Sequence, residues 1–196
     1  MLVALIIFAY LLGSIPSGYI VGALAGVDVR NAGSGNIGAT NVARIVGKRL
    51  GILTLLADTA KGYVPVFIAL RMGLPPATVA VVALAAFLGH LYPVFLRFKG
   101  GKGVATAFGA LLALAPLATL ILIGVFALVV VCSRRISPGS VAAALAAPFA
   151  LWSVSAPPAF IAMGAVLGIL VIVRHRDNIK RLLNGSEPRF GSANSR

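Results

Sequence analysis

The 196-residue sequence is 60% hydrophobic and only 11% charged, with a mean hydropathy of +1.03, which is more apolar surface than a soluble fold of this size can bury. Its formal net charge of +13 comes from 17 Lys and Arg against Asp28, Asp58, Asp177 and Glu187, and its one cysteine, Cys132, excludes an internal disulfide. A soluble domain and a disulfide scaffold are thereby excluded, and an all-α integral membrane protein with anionic partners is expected.

Apolar stretches cover residues 2–25, 50–70, 77–96, 104–133, 141–155 and 159–173. The first ends in Ala23-Leu24-Ala25, the form of a signal-peptidase site. It lacks a basic leader and exceeds the about 7–15 residues of a secretory h-region, so it reads as a retained span. Residues 33–44 follow as a polar island in which Ser34, Asn36, Thr40 and Asn41 offer donors and Arg44 a cation. Such a set suits polyol hydroxyls and phosphate, or ordinary turn and helix-cap chemistry.

Within the second stretch Asp58 and Lys61 stand at i,i+3, where mutual neutralisation is the default reading. His90 closes the third stretch, either as an interfacial hydrogen-bonding residue or as part of a substrate site. The second island, Lys99-Gly100-Gly101-Lys102-Gly103, then leads into an apolar run whose helix N-terminus, with the Lys102 charge, suits an anion.

The stretch 104–133 is flanked by basic residues at both ends, so a single crossing would strand one set on the wrong side. Two crossings hinged at Pro116 resolve this, each roughly 20 Å long at about 1.5 Å per residue, short of a hydrocarbon core of about 30 Å. A single long tilted helix is the alternative. The last stretch ends at the third island, His175-Arg176-Asp177-Asn178, with Asn178 on the helical face of His175. The tail 184–196 reads as polar and loose, and residues 1–196 as one polytopic domain.

Seven spans, some of them short, with the N-terminus outside and the C-terminus cytoplasmic, place every Lys and Arg except Lys61 and Arg71 on the inner side. Two familiar nucleotide motifs fail on context. Gly33-x-Gly35-x-x-Gly38 follows no strand, and a P-loop would need Gly at Leu96 and Ser or Thr at Gly103. Four scattered carboxylates and two distant histidines make no metal site, so none is expected.

Taken in order, GSGNIGATNVAR (33–44), GHLYPVFLRFKGGKGVAT (89–106) and RHRDNIKRLL (174–183), with LLGSIPSG (11–18), resemble the bacterial acyl-phosphate:glycerol-3-phosphate acyltransferase family, PlsY. The resemblance implies a seven-span enzyme of the bacterial inner membrane with its site on the cytoplasmic side. It would move a fatty acyl group from acyl phosphate to the 1-hydroxyl of glycerol 3-phosphate. The products would be 1-acylglycerol 3-phosphate (lysophosphatidic acid) and phosphate, in the first step of phospholipid synthesis.

By the same resemblance Lys102, His175 and Asn178 are catalytic, while Ser34, Asn36, Thr40, Asn41, Arg44, Gly100, Gly101, Gly103 and Arg176 bind substrate. Ser140, placed in the loop after Arg135, matches a further family position, although Ile136-Ser137-Pro138-Gly139 around it departs from the usual pattern. His90 joins the substrate-binding candidates. No cofactor is implied; the partners are glycerol 3-phosphate, acyl phosphate and membrane lipids, with no nucleic acid, and the oligomeric state is left open.

The residues agree with that chemistry. Acyl phosphate carries a stable leaving anion, so positioning and charge stabilisation suffice to expel it. Either His175 or a substrate phosphate oxygen takes the hydroxyl proton. The histidine-x4-aspartate signature of acyl-CoA-type glycerolipid acyltransferases is missing, since Phe95 and Lys180 stand five residues after the two histidines. The rival class is a small transporter of phosphate-containing anions, whose site would more often lie at the bilayer midplane.

Overall fold

The computed structural model describes residues 2–189. Among these residues the chain is all-α: α1 (Leu2–Ser14), α2 (Ser17–Leu24), α3 (Ala39–Ile45), α4 (Lys48–Arg71), α5 (Pro76–Leu91), a 3-10 turn (Val94–Leu96), α6 (Val104–Leu114), α7 (Pro116–Ser133), α8 (Ile136–Ser153), α9 (Pro158–Arg174) and α10 (Arg176–Leu183). This is the helical membrane architecture that the composition requires, because a backbone in hydrocarbon must satisfy its own hydrogen bonds. Outward-facing Leu53, Leu56 and Phe67 on α4, and Leu117, Leu120 and Val131 on α7, present apolar surface to lipid.

Among the described residues, five helical segments are long and apolar enough to cross a bilayer, and a sixth if α9 and α10, bent by 57° at His175, are counted as one. Several details differ from the sequence reading. The stretch 2–25 is broken at Ile15 and Pro16, because proline carries no amide to donate and forces the residue before it out of helix. The stretch 104–133 does break before Pro116, but into unequal pieces of 11 and 18 residues, about 16 and 27 Å long, instead of two halves of equal length. Ala115 between them is not helical, with φ −148° and ψ 79°. Helix α8 begins at Ile136, so Ser137 and Ser140 lie in its first turns and not in a loop.

The chain divides between Leu114 and Ala115 into two compact units. In the first, α1 packs on α5 and α4 on α6, with α2, α3 and α5 also against α4. Both principal pairs are closed by glycines from each side. A Cβ on Gly13 would lie 2.0 Å from the Ala86 carbonyl and one on Gly89 2.2 Å from that of Tyr10; Gly62 and Gly109 stand 2.0 Å by the same measure from the carbonyls of Thr106 and Thr59. Small residues let backbones approach where lipid offers no hydrophobic drive. In the second unit, α7 packs on α8, α8 on α9, and α10 against both α8 and α9.

Candidate active site

The first island is built around Asn41, which opens the short helix α3 and is 2% exposed. Its Oδ1 accepts from the Ser34 amide (2.9 Å), and its Nδ2 donates to the carbonyls of Val29 (3.0 Å), Ala32 (3.1 Å) and Asn36 (2.8 Å). One amide side chain thus supplies the loop with what a strand ladder would otherwise give it. Gly33 is required beside it, since its φ is +61° and a Cβ would come within 2.4 Å of Asn41 Oδ1. Asn36 Oδ1 accepts from the Gly38 amide at 2.8 Å, an Asx turn that leads into α3.

Beneath the loop Val21, Val29, Ile37 and Val42 form a small apolar core that holds it to α2 and α4. Ser34 and Thr40 remain exposed above, and Arg44 is half-buried in the last turn of α3. Arg30 is spent locally. It pairs with Asp28 at 2.7 Å and stacks over the Tyr19 ring at 4.4 Å, and its hydrogen bonds pull the Asp28 carboxyl down to about 2. Arg44 is therefore the cation the island presents.

The second island turns back onto the end of α5. The Gly101 amide donates to the His90 carbonyl (3.1 Å) and the Gly100 amide to that of Leu91 (3.2 Å). A Cβ on Gly101 would lie 2.2 Å from His90 Nε2, and one on Gly103, whose φ is +81°, 2.2 Å from the Phe87 ring. Glycine is needed here for a close fit to α5. The first helical bond of α6 runs from the Ala107 amide to the Gly103 carbonyl (2.7 Å), so the amides of Val104, Ala105 and Thr106 precede it, next to half-buried Lys102. The amides of Gly100 and Gly101 serve the turn, and Lys102 with the α6 N-terminus supplies groups whose chemistry suits an anion.

In the second unit His175 sits at the bend between α9 and α10 and is 3% exposed. Its Nδ1 donates to the Val171 carbonyl at 2.8 Å, so that in the neutral ring Nε2 is the acceptor nitrogen. Asn178 is buried, and Arg176 is exposed one residue beyond the bend. Ser140 is buried with its hydroxyl turned to the Ile136 carbonyl of its own helix (3.3 Å). Pro138 stands in the first turn of α8, where a missing amide is tolerated, and Gly139 meets α7 at Phe126 and Val130.

Sequence reasoning missed Glu187. Its Oε1 accepts from Ser137 Oγ (2.6 Å) and Asn178 Nδ2 (2.7 Å), its Oε2 from Arg181 Nε (2.8 Å), and its carbonyl from Arg135 Nε (3.0 Å). Residues 184–189 are therefore tied to α8 and α10, contrary to the expectation of a loose tail; residues 190–196 lie outside the described residues. The available signal was an acid, Glu187, in a strongly basic terminus, nine residues after Asn178.

Burial pushes the Glu187 carboxyl up, but its bonds to Ser137, Asn178 and Arg181 outweigh this and hold it below its ordinary 4.5. The stability these bonds give is fully present above that ordinary value and is lost as the pH falls through the lower folded one. Glu187→Ala should therefore lower the thermal midpoint at pH 7, by about 2–3 kcal/mol equivalent, and flatten the acid dependence of unfolding below pH 4.5. A variant with a wild-type acid profile would contradict this.

Comparison with known proteins is consistent across sequence and structure. The family model described as glycerol-3-phosphate acyltransferase matches residues 3–185. The glycerol-3-phosphate acyltransferase of Syntrophotalea carbinolica is 53% identical over 188 residues, covering 95% of this chain and 96% of its own. That of Aquifex aeolicus is 46% identical over 187 residues, covering 95% and 97%. The crystal structure of PlsY (YgiH), an integral membrane glycerol 3-phosphate acyltransferase, in its glycerol 3-phosphate form matches with a TM-score of 0.94 at 46% identity, covering 97% of this chain and 96% of that one. The lysophosphatidic acid form matches with a TM-score of 0.91 at 44% identity, covering 97% and 95%. On that breadth of agreement the chain belongs to the glycerol-3-phosphate acyltransferase family of integral membrane proteins.

Proposed function

We propose that this protein transfers a fatty acyl group from acyl phosphate to the 1-hydroxyl of glycerol 3-phosphate, giving 1-acylglycerol 3-phosphate and phosphate at the cytoplasmic face of the bacterial inner membrane. The observation that carries the reading is the turn at Lys102: a cation beside the opening amides of α6, fixed to α5 by glycines, next to apolar helices. Such a turn suits a phosphate whose acyl chain stays in lipid. The reading also keeps seven spans, with the N-terminus outside.

In this reading the 1-hydroxyl oxygen attacks the carbonyl carbon of acyl phosphate, the bond from that carbon to the bridging phosphate oxygen breaks, and phosphate leaves with the electron pair. Lys102 stabilises the leaving anion. Arg44, with Ser34, Asn36 and Thr40, holds glycerol 3-phosphate; Asn41 shapes that loop; Arg176 and Ser140 complete substrate recognition. His175 Nε2 accepts a hydrogen bond from the attacking hydroxyl and orients it, with Asn178 fixing the adjoining helix. The hydroxyl proton passes to a phosphate oxygen, because the leaving phosphate must already lie beside both the attacked carbonyl and the hydroxyl that is deprotonated.

Lys102→Ala and Arg44→Ala each remove a charge-assisted contact worth about 1.5–3 kcal/mol, so kcat/KM should fall about tenfold to a hundredfold. Lys48→Ala, on the exposed first turn of α4, is the surface control. Wild-type kinetics in both site variants would refute the placement. Flux of labelled glycerol 3-phosphate into liposomes, without acyl product, would favour the transporter instead.

A further inference from the structure

The first unit buries three ionisable side chains between its helices: Asp58, Lys61 and His90, all at most 4% exposed. Ionisable groups within a membrane span are expensive and call for a function. Lys61 Nζ lies 2.9 Å from Asp58 Oδ1 and donates to the Ile15 carbonyl at 2.9 Å. Ile15 is the residue at the α1–α2 break, where Pro16 interrupts the helix, so the ammonium caps a backbone that proline has opened. His90 Nδ1 stands 3.7 Å from the same Asp58 oxygen, an electrostatic contact longer than a hydrogen bond.

The cluster reaches both islands of this unit. On one side, His90 carries the second island: Gly101 lies over its ring and bonds to its carbonyl. The exit of that island, at the first turns of α6, packs through Thr106 onto Gly62, one helical turn from Asp58. On the other side, the Ile15 carbonyl that Lys61 holds precedes α2, whose Gly18 touches the Ile37 carbonyl within the first island.

We propose that Asp58 and Lys61 are positioning residues for phosphate recognition: the pair fixes His90, and through it the Lys102 turn, relative to the α1–α2 break that leads to the Asn41 loop. A charged pair suits this task better than an apolar one because it is directional. The carboxylate addresses one ring nitrogen, and the ammonium one carbonyl. The proposal rests on the glycerol 3-phosphate reading above.

Asp58→Asn alone would leave the Lys61 ammonium uncompensated in an apolar interior, so the informative variant is the neutral double, Asp58→Asn with Lys61→Met. Purified full-length protein is compared with this double, with His90→Phe, and with the triple variant. The measurements are thermal unfolding in detergent, the calorimetric Kd for glycerol 3-phosphate, and KM and kcat for acyl transfer from acyl phosphate. The double and His90→Phe are each expected to raise KM and Kd about tenfold, with kcat within about threefold of wild type. In the triple variant the two losses should not add, because they run through one contact.

An unchanged KM in a folded double variant, or fully additive losses, would overturn the proposal. Should the double fail to fold, Asp58→Glu takes its place, and an unchanged KM there would overturn it equally. Wild-type protein that binds glycerol 3-phosphate yet forms no acyl product would refute the reaction while leaving the positioning claim to be decided on Kd.

Discussion

Asn41→Ala is expected to reduce kcat/KM by at least about a hundredfold and to lower stability by about 3 kcal/mol, because it strands one amide and three carbonyls that a single side chain satisfies. Water can reach the exposed rim of the loop but not the Val29 carbonyl, above a fully buried Val29 side chain. The loop that carries Ser34 and Asn36 would lose its shape, so the loss should fall mainly on KM for glycerol 3-phosphate. Asn41→Asp should fare nearly as badly: a carboxylate can still accept from Ser34 but would face three carbonyl oxygens without a donor. Steady-state kinetics with thermal unfolding check both variants, and a wild-type KM in either would show that the loop does not shape the phosphate site.

His175→Ala is expected to lower kcat/KM about tenfold to a hundredfold, chiefly through KM, while the acidic limb of the wild-type pH–rate profile persists. The reason is geometric. The Nδ1 bond to Val171 holds the ring in one orientation, in which the neutral imidazole aims an acceptor nitrogen at the hydroxyl. A general base would behave differently, with a factor of about 10²–10⁴ lost from kcat and the acidic limb abolished. The profile of His175→Gln separates the two: a large kcat loss with disappearance of the limb would make His175 the base.

The helical membrane fold was legible from hydropathy alone, and the break before Pro116 from charge on both sides of one stretch. What the sequence concealed was the effect of tertiary context on polar residues. Asn41 reads as one donor among several in a polar loop; only the folded chain turns four backbone groups toward it. The glycines at 100 and 101 read as amides for an anion, and the folded chain adds that they give clearance over His90 and the end of α5. Glu187 escaped because an acid in a basic terminus does not name its partners, and Ser137 and Asn178 lie 50 and nine residues away. Ser140 was placed in a loop because the apolar stretch begins only at residue 141, whereas α8 starts at Ile136 and tolerates Pro138 in its first turn.

The central claim is that the basic turns serve acyl transfer from acyl phosphate. It is tested most directly by giving the purified full-length protein glycerol 3-phosphate and acyl phosphate in detergent, with EDTA present, and following the lipid product by mass spectrometry. The account predicts 1-acylglycerol 3-phosphate and inorganic phosphate in equal amounts, with no more than trace product when acyl-CoA replaces acyl phosphate. No acylated product, equal turnover of acyl-CoA, or activity that returns only when Mg²⁺ is restored would contradict it.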